Sequence, residues 1–224
     1  MIASGAELTS ELLQHPILSF IIVYVLVRAI IAPGKPTTRP VIADELFPGV
    51  DPQVQRERLR HRLHDLSSLL PEPLAAAVIV QGETLWFNSE ACSVDVLRIL
   101  ELADECVRAD GHLSPEVYAA ARDALAAGDA EFFPDFGEIE SRATGGEGGA
   151  TELAREVQRR LEAARIDLLV GLAQHHTVRR QPTEATAYLE EAVRRDPSRH
   201  DVRSRLEALD LETGQHRRPE ERNV

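Results

Sequence analysis

Apolar residues recur at helical spacing along most of the chain. The first apolar block, residues 16–27, carries no charge, and its apolar character continues beyond Arg28 to Ala32. This uncharged block is shorter than the roughly 18–20 residues that a membrane-spanning helix needs, so we interpret it as a buried core helix. The alternative is a membrane helix over residues 16–32, in which the long side chain of Arg28 reaches the interface.

Helix start and stop signals divide the segment that follows. Residues 33–36 (PGKP) end the apolar helix, because neither proline can continue it. Thr38 is the expected N-cap of a short helix over residues 39–47, whose buried side chains are Ile42, Leu46 and Phe47. Asp51 and Pro52 start a third helix that runs to about Leu70. Its apolar stripe consists of Leu59, Leu63, Leu66 and Leu70.

The other side of this third helix is basic. It carries Arg58, Arg60, His61 and His64, with Arg56 and Arg62 on its flanks. Such a face is typical of a helix that enters the major groove of DNA. The same pattern also occurs on a solvated surface helix, where Glu57 and Asp65 would balance the arginines.

The hydrophobic period changes after Pro71 and Pro73. Residues 77–80 and 84–87 flank Gln81-Gly82-Glu83, a combination that predicts a short β-hairpin with a glycine-containing turn. If the basic helix binds DNA, the turn is placed to reach the flanking backbone through Gln81 and Thr84.

The remainder of the chain is predicted to be helical. The expected helices cover residues 93–109, 114–128, 151–174, 183–195 and 199–213. In the first of these, the expected core residues are Val96, Ile99, Leu100, Ala103 and Val107. Residues 132–136 (FFPDF) are expected to plug one helix layer into the next, and residues 144–150 (TGGEGGA) to form a flexible loop. Residues 185–193 followed by Asp196-Pro197 are similar to the second helix and final proline of a tetratricopeptide (TPR) repeat.

Composition and scattered polar residues narrow the classes of function. The formal net charge of −12 argues against strong non-specific attraction to nucleic acid, so any DNA contact depends on the local basic face. The only cysteines, Cys92 and Cys106, are interpreted as two buried thiols, because they lack metal-site spacing. His175-His176 is expected in a loop without a third ligand. We therefore expect no catalytic site, metal or cofactor.

The order of these elements resembles that of actinobacterial SARP-type regulators, in which a winged helix precedes a bacterial transcriptional activator domain. The similar positions are residues 33–36, 43–48 (ADELFP), 51–52, Arg56, 58–60, Leu63, Gly82, Leu85, 94–96 (VDV), Ile99, 128–129, 133–135 and the repeat near Tyr188. About fourteen residues precede the apolar segment. The leading β-sheet that the family usually has is therefore expected to be absent or vestigial.

The resemblance implies a mainly α fold, in which a degenerate winged helix-turn-helix with a small hairpin wing precedes a TPR-like helical domain. The expected parts are an N-terminal tail (1–14), the winged-helix-like domain (15–92), the helical domain (93–214) with a flexible loop (141–150), and a polar tail (215–224).

Two hypotheses of function follow. The first is a cytoplasmic transcriptional regulator that binds double-stranded DNA and, through residues 151–213, a protein such as RNA polymerase. The second is a TPR-like interaction scaffold that does not bind DNA. In this hypothesis residues 16–32 can attach the protein to a membrane, with a cytoplasmic C-terminal domain. A homo-oligomer is left open in both.

Overall fold

The protein is mainly helical and contains one small antiparallel sheet. A computed structural model describes residues 16–32, 35–69, 76, 78–88, 95–127 and 149–214. Within these residues lie eight helices, α1 (Pro16–Ile31), α2 (Arg39–Leu46), α3 (Pro52–Leu69), α4 (Asp95–Ala109), α5 (Pro115–Ala126), α6 (Gly149–Val178), α7 (Pro182–Arg195) and α8 (His200–Thr213). The three strands are β1 (Thr37–Thr38), β2 (Val78–Gln81) and β3 (Thr84–Phe87).

The described residues divide into two compact units. Residues 16–88 and 149–159 belong to the first unit, and residues 95–127 and 160–214 belong to the second. This grouping differs from the predicted domains in α6, whose first eleven residues (149–159) are assigned to the first unit. Helix α6 also begins at Gly149, inside the segment that was predicted to be a flexible loop.

Helix α1 provides much of the core of the first unit. Its buried side chains include Ile21, Tyr24, Val27 and Ile30, and the helix contacts both α3 and β3. The side chain of Arg28 is directed to a partner inside the fold, because its guanidinium forms an ion pair with Glu45 of α2. The interpretation of this segment as a core helix is therefore confirmed. Among the described helices, none is both long enough and apolar enough to cross a membrane.

The sheet joins the segment before α2 to the hairpin that follows α3. Strand β3 lies between β1 and β2 and is antiparallel to both. The predicted hairpin of β2 and β3 is confirmed, with Gly82 in its turn at a φ of +56°, a conformation that glycine adopts without strain. The pairing of β1 with β3 was not predicted, because two threonines between a proline and a helix give no alternating pattern.

The short helix α2 follows β1 directly. Thr38 occupies the expected N-cap position in an extended conformation, but its side chain makes no capping hydrogen bond. Ile42, Leu46 and Phe47 are buried, as predicted. They place α2 against α3, and α2 also contacts β1, so α2 connects the basic helix with the sheet.

Within residues 95–127 and 160–214, the second unit is built from helices. One cluster of buried side chains joins α4, α5 and α6, and includes Leu102, Cys106, Ala121, Leu168 and Leu172. The prediction that Val107 is a core residue is wrong, because 58% of its surface is exposed. The prediction for Ala103 is confirmed, and Ile99 and Leu100 pack partly buried against the same cluster, in which Leu102 and Cys106 take the place expected for Val107. A broad apolar stripe does not by itself determine which edge is buried.

A close crossing of α4 and α6 lies in this cluster. A methyl group on Gly171 of α6 would lie 2.6 Å from Cβ of Cys106 on α4. Real side chains essentially never approach so closely, so this crossing needs a residue without a Cβ. The expected burial of Cys106 is confirmed, and burial raises the pKa of its thiol to about 11.

Helices α7 and α8 pack together at the end of the second unit. A second cluster of buried side chains contains Ile166, Leu169 and Ala173 of α6, Ala185, Leu189 and Ala192 of α7, and Val202, Leu206 and Leu209 of α8. The small side chains Ala185 and Ala192 are fully buried, which allows the helices to approach closely. The predicted helices over 183–195 and 199–213 agree with the observed ones within one residue.

Several predicted features lie outside the described residues or their described side chains. They are the tails 1–14 and 215–224, the turn residues Pro33 and Gly34, Leu66 and Leu70 of the basic helix, Cys92, the aromatic segment 132–136, and residues 141–148 of the predicted loop.

Candidate nucleic-acid interface

Helix α3 begins at a well-formed N-terminus. Oδ1 of Asp51 accepts hydrogen bonds from the backbone N of Gln53 at 2.9 Å and of Val54 at 3.4 Å. Pro52 needs no acceptor for its nitrogen, and its fixed φ suits the first turn. The side chain of Asp51 therefore caps the helix as predicted.

One side of α3 anchors the helix to the rest of the first unit. Gln55, Leu59 and Leu63 are buried at a spacing of four residues, which places them on the same face. Nε2 of Gln55 donates to the backbone O of Phe47 at 2.8 Å and to Oδ1 of Asp44 at 3.4 Å. Gln55 was absent from the predicted buried stripe, because a polar residue does not contribute to an apolar pattern. Its spacing from Leu59 would have identified it.

Every basic residue of α3 that was predicted to contact DNA is exposed. The side chains are those of Arg56, Arg58, Arg60, His61, Arg62 and His64. Two of the arginines have local carboxylate neighbours, with Arg60 at 3.9 Å from Glu57 and Arg62 at 3.4 Å from Asp65. Exposed pairs of this kind stabilise a helix by only about 0.3–0.5 kcal/mol, so an external anion can compete for these arginines.

Arg58 is held by a different contact. Its guanidinium carbon lies 5.8 Å from the centre of the Phe47 ring, which is buried at the end of α2. An arginine over an aromatic face gains about 0.5–1 kcal/mol at an exposed site and keeps its N–H groups available at the edge. Arg58 is therefore oriented without losing its capacity to donate to phosphate or to a base.

The hairpin turn presents only part of its predicted interface. Gln81 is exposed, whereas Thr84 is partly buried. Oγ1 of Thr84 donates to the backbone O of Gln81 at 2.9 Å, so this hydroxyl hydrogen is used within the turn. A hydroxyl has one hydrogen to donate, and a phosphate contact from Thr84 would have to break this bond. Gln81 is the better placed of the two.

A groove separates the N-terminal half of α3 from the hairpin turn. It has a volume of about 370 Å³ and is lined by three arginines and two glutamates, among other residues: Arg39, Arg56, Arg60, Glu57 and Glu83. The backbone N of Arg39 donates to the backbone O of Glu83 at 2.7 Å, which fixes the start of α2 beside the turn. Arg39 was absent from the predicted interface, because only the unpredicted pairing of β1 with β3 brings it to this groove.

The two adjacent histidines of the second unit have structural partners. The prediction that they lie in a loop is wrong, since both are buried within α6, which continues to Val178. Nδ1 of His175 donates to the backbone O of Gly111 at 3.1 Å. Nδ1 of His176 lies 2.8 Å from Oε1 of Gln181, and its Nε2 accepts from the Tyr118 hydroxyl at 3.2 Å. Among the described residues, no cluster of three potential ligands could hold a metal ion.

A second groove lies within the second unit. Its volume is about 420 Å³, and its walls are the C-terminal end of α6 and one side of α8, with Asp110 and His112 at one edge. Helix α8 contributes Arg205, Ala208 and Glu212 to the lining. The groove therefore mixes apolar surface with charges of both signs.

The chain matches no protein-family model, and no curated protein is significantly similar to it in sequence. A function for this protein is therefore proposed from two surfaces: the basic side of α3 with its adjacent groove, and the groove of the second unit.

Proposed function

We propose that this protein is a transcriptional regulator that binds duplex DNA through α3 and a protein partner through its second unit. The observation that carries the proposal is the exposed basic surface of α3, on which four arginines and two histidines occupy the helix outside the buried stripe of Gln55, Leu59 and Leu63. A helix that is anchored by one face and basic on the other suits insertion into the major groove.

The order of elements supports a winged helix. A first helix, a short strand, two helices and a hairpin follow one another, and the short strand pairs with the second strand of the hairpin. In a winged helix of this order, α3 is the recognition helix and the β2–β3 turn is the wing. The resemblance to SARP-type regulators implies the same assignment, and places TPR-like helices after it.

The distribution of charge determines the orientation in which such a protein would approach DNA. The whole chain carries a net charge of −12, which disfavours approach to DNA in most orientations. Helix α3 has four arginines against the two carboxylates of Glu57 and Asp65. The local field of this helix therefore selects the orientation in which α3 faces the duplex.

The test is duplex binding measured by fluorescence anisotropy over a range of salt concentrations. We expect the full-length protein to bind at low salt and the affinity to fall as salt rises, because bound phosphates release counterions. The double variant Arg58→Ala/Arg60→Ala should abolish the binding. A matched control, Arg98→Ala/Arg108→Ala, removes the same charge from exposed positions of α4 and should leave it unchanged.

Three results would contradict this assignment. Absence of binding to any duplex at low salt would refute DNA binding and favour the interaction scaffold. Equal losses in the α3 variant and the α4 control would show that only overall charge matters. Retained binding in the α3 variant would exclude α3 as the interface.

The second groove supports the protein-binding part of the proposal. Ala208 lies exposed on α8 where α8 lines this groove, and an arginine side chain at that position would fill part of it. Purified RNA polymerase should be retained by the immobilised wild-type protein and lost from Ala208→Arg. Ala119→Arg, at an exposed position of α5, is the control for added charge and bulk. Equal retention by both variants would exclude the groove as the contact surface.

A further inference from the structure

We propose that the groove between α3 and the hairpin turn is a binding site for one backbone phosphate of DNA, held by Arg39, Arg56 and Arg60. The inference rests on the proposed DNA binding by α3, and it adds Arg39, a residue outside that helix.

Arg39 is the one arginine of this site that lies outside α3, and backbone contacts fix its position. It is the first residue of α2, and its backbone N donates to the backbone O of Glu83 at 2.7 Å. Thr38, the residue before it, pairs with Thr84 in the sheet. The start of α2 is thus joined to the hairpin turn, and Arg39 lies across the groove from the arginines of α3.

The side chain of Arg39 is incompletely satisfied by the protein. Its Nε is buried and has no hydrogen-bond acceptor within the part of the chain that the structure describes. A buried N–H group without an acceptor is unfavourable, so little is lost within the protein when a phosphate draws this guanidinium toward the groove and supplies acceptor oxygens there. Phosphate oxygens are suitable acceptors, since a guanidinium can present two parallel N–H groups to them.

Arg56 and Arg60 complete the site from α3. They are four residues apart and therefore lie on the same side of the helix, facing the groove that Arg39 lines. Arg56 makes no ion pair with any described residue, and Arg60 has only the long, exposed contact with Glu57. Three guanidinium groups around one groove fit a single anionic group better than the edge of a neutral base.

The two carboxylates in the groove oppose this binding. Glu57 lies beside Arg60, and Glu83 projects from the hairpin turn. Only the backbone O of Glu83 is needed to hold Arg39 in place, so its side chain can be changed without removing that bond. The groove therefore offers variants that shift affinity in opposite directions.

The experiment measures binding of two duplexes of equal length and unrelated sequence between about 50 and 200 mM salt. Arg39→Gln should weaken both duplexes by the same factor, about tenfold at low salt. It should also reduce the slope of log affinity against log salt by about one, because one phosphate contact is lost. Glu83→Gln should strengthen the binding of both, and Arg98→Gln on α4 serves as the charge-matched control.

Each outcome has a distinct meaning. If the wild type binds but Arg39→Gln leaves the salt slope unchanged, the phosphate site is refuted while DNA binding by α3 stands. If Arg39→Gln weakens only one duplex, Arg39 contacts a base and the site is again refuted. If the wild type binds neither duplex, the phosphate site and the proposed function fail together.

A second variant protects the test against misfolding. If the circular dichroism spectrum of Arg39→Gln differs from that of the wild type, Arg56→Gln is measured in its place. Arg56 lines the same groove, is exposed and makes no ion pair with any described residue, so its replacement should not disturb the fold. The same drop in slope is expected, and an unchanged slope refutes the site.

Discussion

One N–H group of the Arg28 guanidinium donates a hydrogen bond of 2.7 Å to Oε1 of Glu45, which joins α1 to α2. The Nε of Arg28 also donates to the Tyr24 hydroxyl at 2.8 Å. About a quarter of each charged side chain is exposed, 29% for Arg28 and 24% for Glu45. This pair gives the one charge in an otherwise apolar helix a partner inside the fold.

Removing one member of this pair should destabilise the first unit. Arg28→Leu leaves the carboxylate of Glu45 without its partner, and we expect the free energy of unfolding to fall by about 1–3 kcal/mol. The double variant Arg28→Leu/Glu45→Leu should lose less than the sum of the two single variants. Urea denaturation of all four proteins gives this coupling energy, and additive losses would show that the contact contributes nothing.

A methyl group at the close crossing of α4 and α6 should also destabilise the protein. Gly171→Ala improves intrinsic helix propensity by about 1 kcal/mol, but its Cβ would overlap Cys106. We expect the overlap to dominate and the free energy of unfolding to fall by about 1–3 kcal/mol. In Cys106→Gly, which removes the obstructing Cβ, the same change should be neutral or stabilising. Chemical denaturation followed by circular dichroism tests both, and a stabilising effect in the wild-type background would refute the close packing.

The stability of the second unit should depend on pH through His175. Burial, and then the nearby charge of Arg179, lower the pKa of His175 below its usual value of 6.5, whereas its bond to Gly111 opposes this shift. The unfolded chain therefore takes up a proton at a higher pH than the folded chain does. The contribution of the neutral His175 to the free energy of unfolding is therefore fully present above about pH 6.5. It is lost as the pH decreases from there toward the folded-state pKa.

Replacing His175 should remove this contribution. His175→Gln is expected to lower stability at neutral pH and to flatten its decrease between about pH 6.5 and pH 5. His200→Gln, at an exposed position of α8, provides the control. Thermal unfolding across this range is the measurement, and an unchanged slope in His175→Gln would assign the pH dependence to other groups.

Two helix N-caps should respond differently to the same kind of substitution. Oγ of Ser114 accepts from the backbone N of Val117 at 3.2 Å, whereas the Thr38 side chain makes no capping bond. Ser114→Ala should cost about 1 kcal/mol, and Ser114→Asp should retain most of the stability because a carboxylate can accept the same bond. Thr38→Ala should cost less than Ser114→Ala. Equal costs, measured by denaturation, would mean that the Ser114 bond adds nothing.

The sequence alone determined the hairpin, the exposed basic residues of α3 and the helices, apart from the full length of α6. Local signals suffice for these features: caps such as Asp51 and Ser114, helical spacing of leucines, and a glycine turn at Gly82. The six basic residues of α3 are exposed because Leu59 and Leu63 fix which side of the helix is buried. Spacing along one helix determines both faces at once.

Tertiary structure decided the features that depend on residues far apart in sequence. Only the pairing of β1 with β3 brings Arg39 to the groove, and only the packing of α1 against α3 and β3 brings Arg28 to Glu45. The exposure of Val107 and the burial of both histidines in α6 likewise follow from which helices meet. Periodicity describes one helix in isolation, whereas long-range contacts are determined by where the whole chain packs.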